Sequence, residues 1–155
     1  MADLKTFDSS WRGRVWRYAP LILWTGVVLF ASTGSASMSN TSTFIRPLLE
    51  FFFPNSSEET LLTYHGYIRK MAHLTEYGIL AFFTARALFG SSRTILRKYV
   101  YLFVFTAVAF IAVLDEMNQS LNTSRTGSVR DVFIDLAGAI IAISLIYGIQ
   151  MIRRR

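Results

Sequence analysis

The 155-residue chain predicts an all-α integral membrane bundle of four transmembrane helices with both termini cytoplasmic. Three observations carry that expectation. Hydrophobic residues make up 52% of the sequence and mean hydropathy is +0.37, too apolar for an ordinary soluble domain of this size. Four apolar segments approach the ~20 residues needed to cross a hydrocarbon layer of roughly 30 Å. Basic residues dominate the formal charge of +6, yet Arg12, Arg14, Arg17, Arg86, Arg93, Arg97, Lys98 and Arg153 all flank those segments, so a nucleic-acid partner is not expected. The absence of cysteine excludes disulfides, thiolate catalysis and thiolate metal sites.

Residues 1–17 read as a basic cytoplasmic head, and 18–152 as the membrane domain. The first span is expected at about 18–38, with Pro20 in a helix's first turn and Trp16 and Trp24 suited to interface and helix contacts. A basic head, an apolar run and the small residues Gly34 and Ala36 also fit a cleaved signal peptide. Cleavage would leave an odd number of crossings and weaken the charge pattern, so a retained span is preferred. Residues 39–67 read as an outer loop containing an interfacial segment at 44–54, whose Phe51, Phe52 and Phe53 would roof what lies beneath. Further spans are expected at about 68–89, with Arg86 snorkelling from its end, then at 99–116 and 131–152. Basic residues before the first span, between the second and third, and after the fourth follow the positive-inside rule.

This topology has a chemical consequence. Ionisable side chains in the hydrocarbon layer cost several kcal/mol each and are expected to face a functional site or a specific partner. Lys70, His73, Glu76 and Tyr77 fall near the outer end of the second span, Asp115, Glu116 and Gln119 at that of the third, and Asp131 and Asp135 at that of the fourth. At helical spacing His73 neighbours Glu76 and Tyr77, and Gln119 neighbours Asp115 and Glu116. Gly127 and Ser128 precede the fourth span, where Ser128 is placed to cap it.

Lys70-xx-His73-xx-Glu76-Tyr77-xx-Leu80, Asp115-Glu116-xx-Gln119 and Arg125-x-Gly127-Ser128-xx-Asp131-xxx-Asp135-xx-Gly138 resemble, in order and spacing, the motif blocks of the VanZ-like family of bacterial membrane proteins. The resemblance covers about half the chain, roughly Ile68 to Ala142. Two departures stand out: Asp135 occupies a position where the family pattern usually has Asn, and Thr123-Ser124 replaces the Pro-Gly often found before Arg125. The resemblance implies a multi-pass protein of the bacterial cytoplasmic membrane, related to an accessory factor of glycopeptide resistance that lowers teicoplanin susceptibility.

The preferred reading is an enzyme-like centre acting on a membrane lipid or a lipid-linked envelope precursor. Asp115, Glu116 and Asp131 supply carboxylates, and His73 and Glu76 supply acid/base or orienting groups. Lys70, Tyr77, Gln119, Arg125, Ser128 and Asp135 are expected to bind substrate, with Arg125 or Lys70 on an anionic group. No cofactor is required, although His73, Glu76, Asp115 and Glu116 form an alternative site for a divalent metal. The competing class is a non-enzymatic helper that binds or shields a head group or antibiotic, its polar residues serving recognition or helix packing. His65 is expected to be a solvated loop residue. The small residues Gly138, Ala139 and Ala142 fit packing within the bundle or between protomers equally, which leaves the oligomeric state open.

Overall fold

The computed structural model describes residues 11–33, 38–120 and 128–153. They form six helices and, among the described residues, no strand: α1 (Trp11–Ala31), α2 (Met38–Phe52), α3 (Glu58–Phe89), α4 (Thr94–Lys98), α5 (Val100–Ser120) and α6 (Val129–Arg153). By length and composition, α5 and α6 are long and apolar enough to cross a membrane. Residues 1–10, in the expected basic head, lie outside the described part of the chain, and Trp11–Arg17 already belong to α1.

The region expected as an outer loop, 39–67, is mostly helical. Its polar composition suggested a loop, but local capping decides otherwise. Ser57 is extended and its hydroxyl accepts from the Thr60 amide, while Glu58 and Glu59 place negative charge in the first turn, where the helix dipole favours it. α3 therefore starts ten residues before the expected second span. It holds α2 through Arg46, which pairs with Glu50 at 2.8 Å and Glu58 at 2.6 Å, and through stacking of Phe53 on Tyr64.

α1 likewise begins earlier than expected, so Pro20 lies in the helix interior rather than its first turn. A proline there has no amide to donate to the carbonyl four residues back. The carbonyl of Trp16 instead accepts from Arg86 Nη1 at 3.2 Å, and that of Arg17 accepts from the same nitrogen at 3.2 Å. Arg86 is thus engaged with the α1 backbone instead of snorkelling from a helix end. Arg17, itself buried, returns the favour by donating to the Gly90 carbonyl at the C-cap of α3, where a cation complements the helix dipole.

Specific contacts fix the directions of the long helices. α1 runs antiparallel to α3, since Arg17 meets Gly90 and Trp24 meets Glu76. α5 is antiparallel to α3, through Arg69 with Gln119 and Phe89 against Tyr101. α6 is antiparallel to α5, through Tyr101 with Gln150 and Glu116 with Ser128. α3 and α6 consequently lie parallel, in the most extensive interface of the bundle. One end collects Arg12, Arg14, Arg17, Arg86, Arg93, Arg97, Lys98 and Arg153; the other collects the acids of α5 and the start of α6.

The α3–α6 interface depends on two glycines. A Cβ built on Gly138 would collide with the carbonyl oxygen of Leu74 and stand 3.2 Å from the Gly78 amide nitrogen. Small side chains also fill the centre of the bundle: Ala81, Ala85, Val104, Val108, Ala112 and Ala139 are buried around Tyr77 and Leu80. Large apolar residues such as Ile22, Leu23, Phe30, Leu102, Phe110 and Leu145 are exposed on its outside.

Candidate functional site

At the end away from the basic residues, α3, α5 and α6 each direct charged groups to the bundle interior. His73 comes from α3, Asp115 and Glu116 from α5, and Asp135 from α6. One potential ligand atom of each lies within 4.8 Å of those of the other three. Helix spacing alone places Asp115 and Gln119 on one side of α5. The close passage at Gly138 brings Asp135, one turn earlier on α6, against His73.

Each acid has one oxygen engaged and one without a partner. Asp135 Oδ1 lies 3.2 Å from His73 Nδ1. With Nδ1–H donating to that carboxylate, the ring keeps the lone pair of Nε2. Asp115 Oδ2 accepts from Gln119 Nε2 at 3.0 Å, and Gln119 Oε1 accepts from Arg69 Nη2 at 3.0 Å. Glu116 Oε2 accepts from the Ser128 amide at 2.6 Å, tying the start of α6 to the end of α5. The other oxygens, Asp115 Oδ1, Glu116 Oε1 and Asp135 Oδ2, are buried without a hydrogen-bond partner, as is the hydroxyl of Tyr77.

A cleft of about 170 Å³ leads to this centre. Its wall includes His65, Arg69, His73, Glu76 and Asp115, with Ser32 from the turn after α1 and Thr41 and Ile45 from α2. Ser32 is buried beside the end of α5, where its hydroxyl accepts from Asn118 Nδ2 at 3.1 Å. Trp24 fixes the neighbouring turn of α3 by donating from Nε1 to the Glu76 carbonyl at 2.9 Å. Along α3 the cleft thus carries two imidazoles, the Arg69 cation and the Glu76 carboxylate, and it reaches the cluster at His73 and Asp115.

A family model described as VanZ/LLP1 matches residues 18–152. The chain belongs to the VanZ/LLP1 family. Among curated proteins and among solved structures, no significant match is found.

In this VanZ/LLP1 chain several expected site residues converge and others do not. His73, Tyr77, Asp115, Glu116, Gln119 and Asp135 are all buried at one end of the bundle. Glu76 lines the cleft but is not among the clustered ligand atoms, where Asp135 stands instead, so the metal set expected from sequence exchanges one carboxylate for another. Asp131 sits half-buried in the first turn of α6, within electrostatic reach of Glu116 and Asp135. Ser128 caps α6, its hydroxyl accepting from the Arg130 amide at 3.2 Å. Arg125 lies outside the described residues.

Lys70 lies apart from the cluster. It is exposed and takes no part in the cleft wall, and the cation there is Arg69. The reason is rotational: residues 65, 69, 72, 73 and 76 follow the helical repeat down one face, and Lys70 falls off it. His65 is likewise buried rather than solvated, with Nε2 3.1 Å from the Thr41 hydroxyl. The expected Phe roof also fails to form. Phe51 and Phe52 point outward, Phe53 packs on Tyr64, and α2 offers the cleft Thr41 and Ile45. Applying a four- and eight-residue helical spacing upstream of His73 would have found both Arg69 and His65.

Proposed function

We propose that this protein spans a bacterial cytoplasmic membrane four times, through α1, residues 68–89 of α3, α5 and α6, with both termini inside. It acts at the outer leaflet on the polar head of a lipid-linked envelope component, by acid/base chemistry that lowers teicoplanin susceptibility. The carrying observation is the buried group of His73, Asp115, Glu116 and Asp135, reached by a cleft bearing Arg69 and Glu76 at the end opposite the cluster of Arg12, Arg14, Arg93, Arg97, Lys98 and Arg153. That polarity agrees with the positive-inside rule, and the small-residue interior with large apolar residues outside is the packing expected in lipid. The exposed Phe44, Phe51 and Phe52 of α2 would lie in the outer interface, around the cleft mouth.

Within this reading Arg69 meets an anionic group on the substrate. Its bond to Gln119, and the latter's bond to Asp115, link anion binding to the carboxylates. His73, oriented by Asp135, and Glu76 on the cleft wall are the groups placed to take up and return a proton.

A second reading draws on the same bonds. Gln119 to Asp115, Ser128 to Glu116 and Asn118 to Ser32 knit helix ends together, as a non-enzymatic binding or shielding protein would require. The two readings part in one experiment: mass spectrometry of membrane lipids and lipid-linked wall precursors from cells expressing wild type, His73→Asn or Glu76→Gln at matched levels. The enzyme reading expects a covalent product with the wild type that falls by roughly 10²- to 10⁴-fold in the variants. Identical pools accompanied by altered teicoplanin susceptibility would establish binding or shielding instead.

A further inference from the structure

We propose that His73, Asp115, Glu116 and Asp135 bind a divalent first-row transition-metal ion. The inference deepens the reading above, with His73 as a ligand and Glu76 left to carry the proton, and rests on it only for the site's place beside the cleft. The donor atoms of all four side chains fall within 4.8 Å of one another, close enough to converge on a single ion. They come from three helices, so the site exists only in the assembled bundle.

A crowd of acids alone would not point to a cation; the unpartnered atoms do. Asp115 and Asp135 are 2% and 0% exposed, yet Asp115 Oδ1 and Asp135 Oδ2 accept no hydrogen bond, and neither does Glu116 Oε1. Buried carboxylate oxygens left in that state are costly unless a ligand or ion completes them. The fully buried Tyr77 hydroxyl stands against the same acids, Asp115 foremost, and brings no positive charge to balance them. Among the described residues the ion pair made by these acids is that of Asp135 with His73, and Arg69 spends its described hydrogen bond on Gln119.

The partners of the engaged oxygens resemble the outer supports of a metal centre. Gln119 and the Ser128 amide hold Asp115 and Glu116 in place, each through the oxygen that is not left bare. Donor chemistry narrows the ion. Three carboxylates favour a hard or borderline cation, whereas an imidazole ligand disfavours magnesium and calcium, which leaves manganese, iron or zinc.

The test uses the full chain purified in detergent micelles, stripped with chelator, dialysed against micromolar manganese or zinc, and then freed of loose metal. The expected result is about one ion per chain by elemental mass spectrometry, with a rise in thermal midpoint on loading, as binding to the folded state alone demands. Asp115→Asn and Glu116→Gln are expected to weaken binding at least roughly tenfold. Should those variants not fold, pulsed electron paramagnetic resonance of the manganese-loaded wild type decides, because an imidazole ligand adds nitrogen modulation to the signal. Folded wild type that retains no ion and shows no midpoint shift at millimolar metal overturns the proposal. So does a manganese signal without nitrogen modulation, or wild-type stoichiometry in folded Asp115→Asn. A lipid product formed by ion-free protein would overturn the metal site and leave the acid/base reading standing. One bound ion with unchanged lipid pools would support the site and remove the enzyme.

Discussion

Gly138 of α6 lies so close to Leu74 of α3 that a single added methyl group would strike the Leu74 carbonyl oxygen. Asp135 and His73 meet one turn away, at 3.2 Å. The contact between two backbones thus sets the distance between two side chains of the candidate site. Gly138→Ala must push the helices apart, with an expected cost of about 1–3 kcal/mol as an overpacked core. Gly148, with open space where its Cβ would be, is the control on the same helix. Gly148→Ala should be neutral or stabilising by up to ~1 kcal/mol through helix propensity. Thermal melts of the two variants in one detergent check the contrast.

Arg69, Gln119 and Asp115 form a chain of two 3.0 Å hydrogen bonds from the cleft to the centre. Gln119→Leu removes both and leaves Asp115 with neither oxygen engaged, at an expected cost of about 1–3 kcal/mol. Arg69→Met should abolish function with a smaller loss of stability. Lys70→Met, on the exposed face, should change neither. Paired susceptibility assays and denaturation curves distinguish the three.

The Trp24 indole donates to the Glu76 carbonyl across α1 and α3. Trp24→Phe keeps the ring packed and loses the bond, so stability should fall by about 0.5–1.5 kcal/mol while the fold is retained. A larger loss would mean that Trp24 orders more of the cleft than this single turn.

His65 precedes the proposed spanning part of α3, and its pKa is held below the usual value, first by burial and then by the positive charge of Arg69. Its neutral ring faces the Thr41 hydroxyl of α2. A depressed histidine pKa means that the undocked state binds the proton more readily. The docking of α2 on α3 is therefore fully supported above roughly pH 6.5 and weakens as pH falls through the lower pKa of the docked ring. Protection of the α2 amides, corrected for the intrinsic pH dependence of exchange, should fall between neutral and mildly acidic pH, and His65→Gln should flatten that dependence.

Much of the site was legible before any coordinates. The motif positions 73, 115, 116 and 135 could be set at one depth because apolar run lengths and basic flanks order the helices along a single axis. Azimuth was harder to assign. Lys70 and Arg69 are adjacent in sequence and alike in charge, and only the turn of α3 separates the exposed cation from the cleft cation. Polar residues 58–67 suggested a loop because composition outweighed the Ser57-Glu58-Glu59-Thr60 capping signal, which in fact starts α3. Pro20 marked a helix start by its usual preference, yet Arg86 supplies the donor that lets α1 continue through it.

The sequence by itself determined that the chain is helical, apolar and polarised, with one end marked by basic residues alone and the other gathering its histidines and the acids of α5 and α6. Those properties follow from hydropathy and spacing, which are local and additive along the chain. Only the tertiary structure decided that Asp135 rather than Glu76 joins His73, Asp115 and Glu116, and that one oxygen of each acid is left without a partner. Such choices depend on how helices are rotated against one another. That rotation is set by close contacts between distant residues, above all the glycine crossing of α3 and α6.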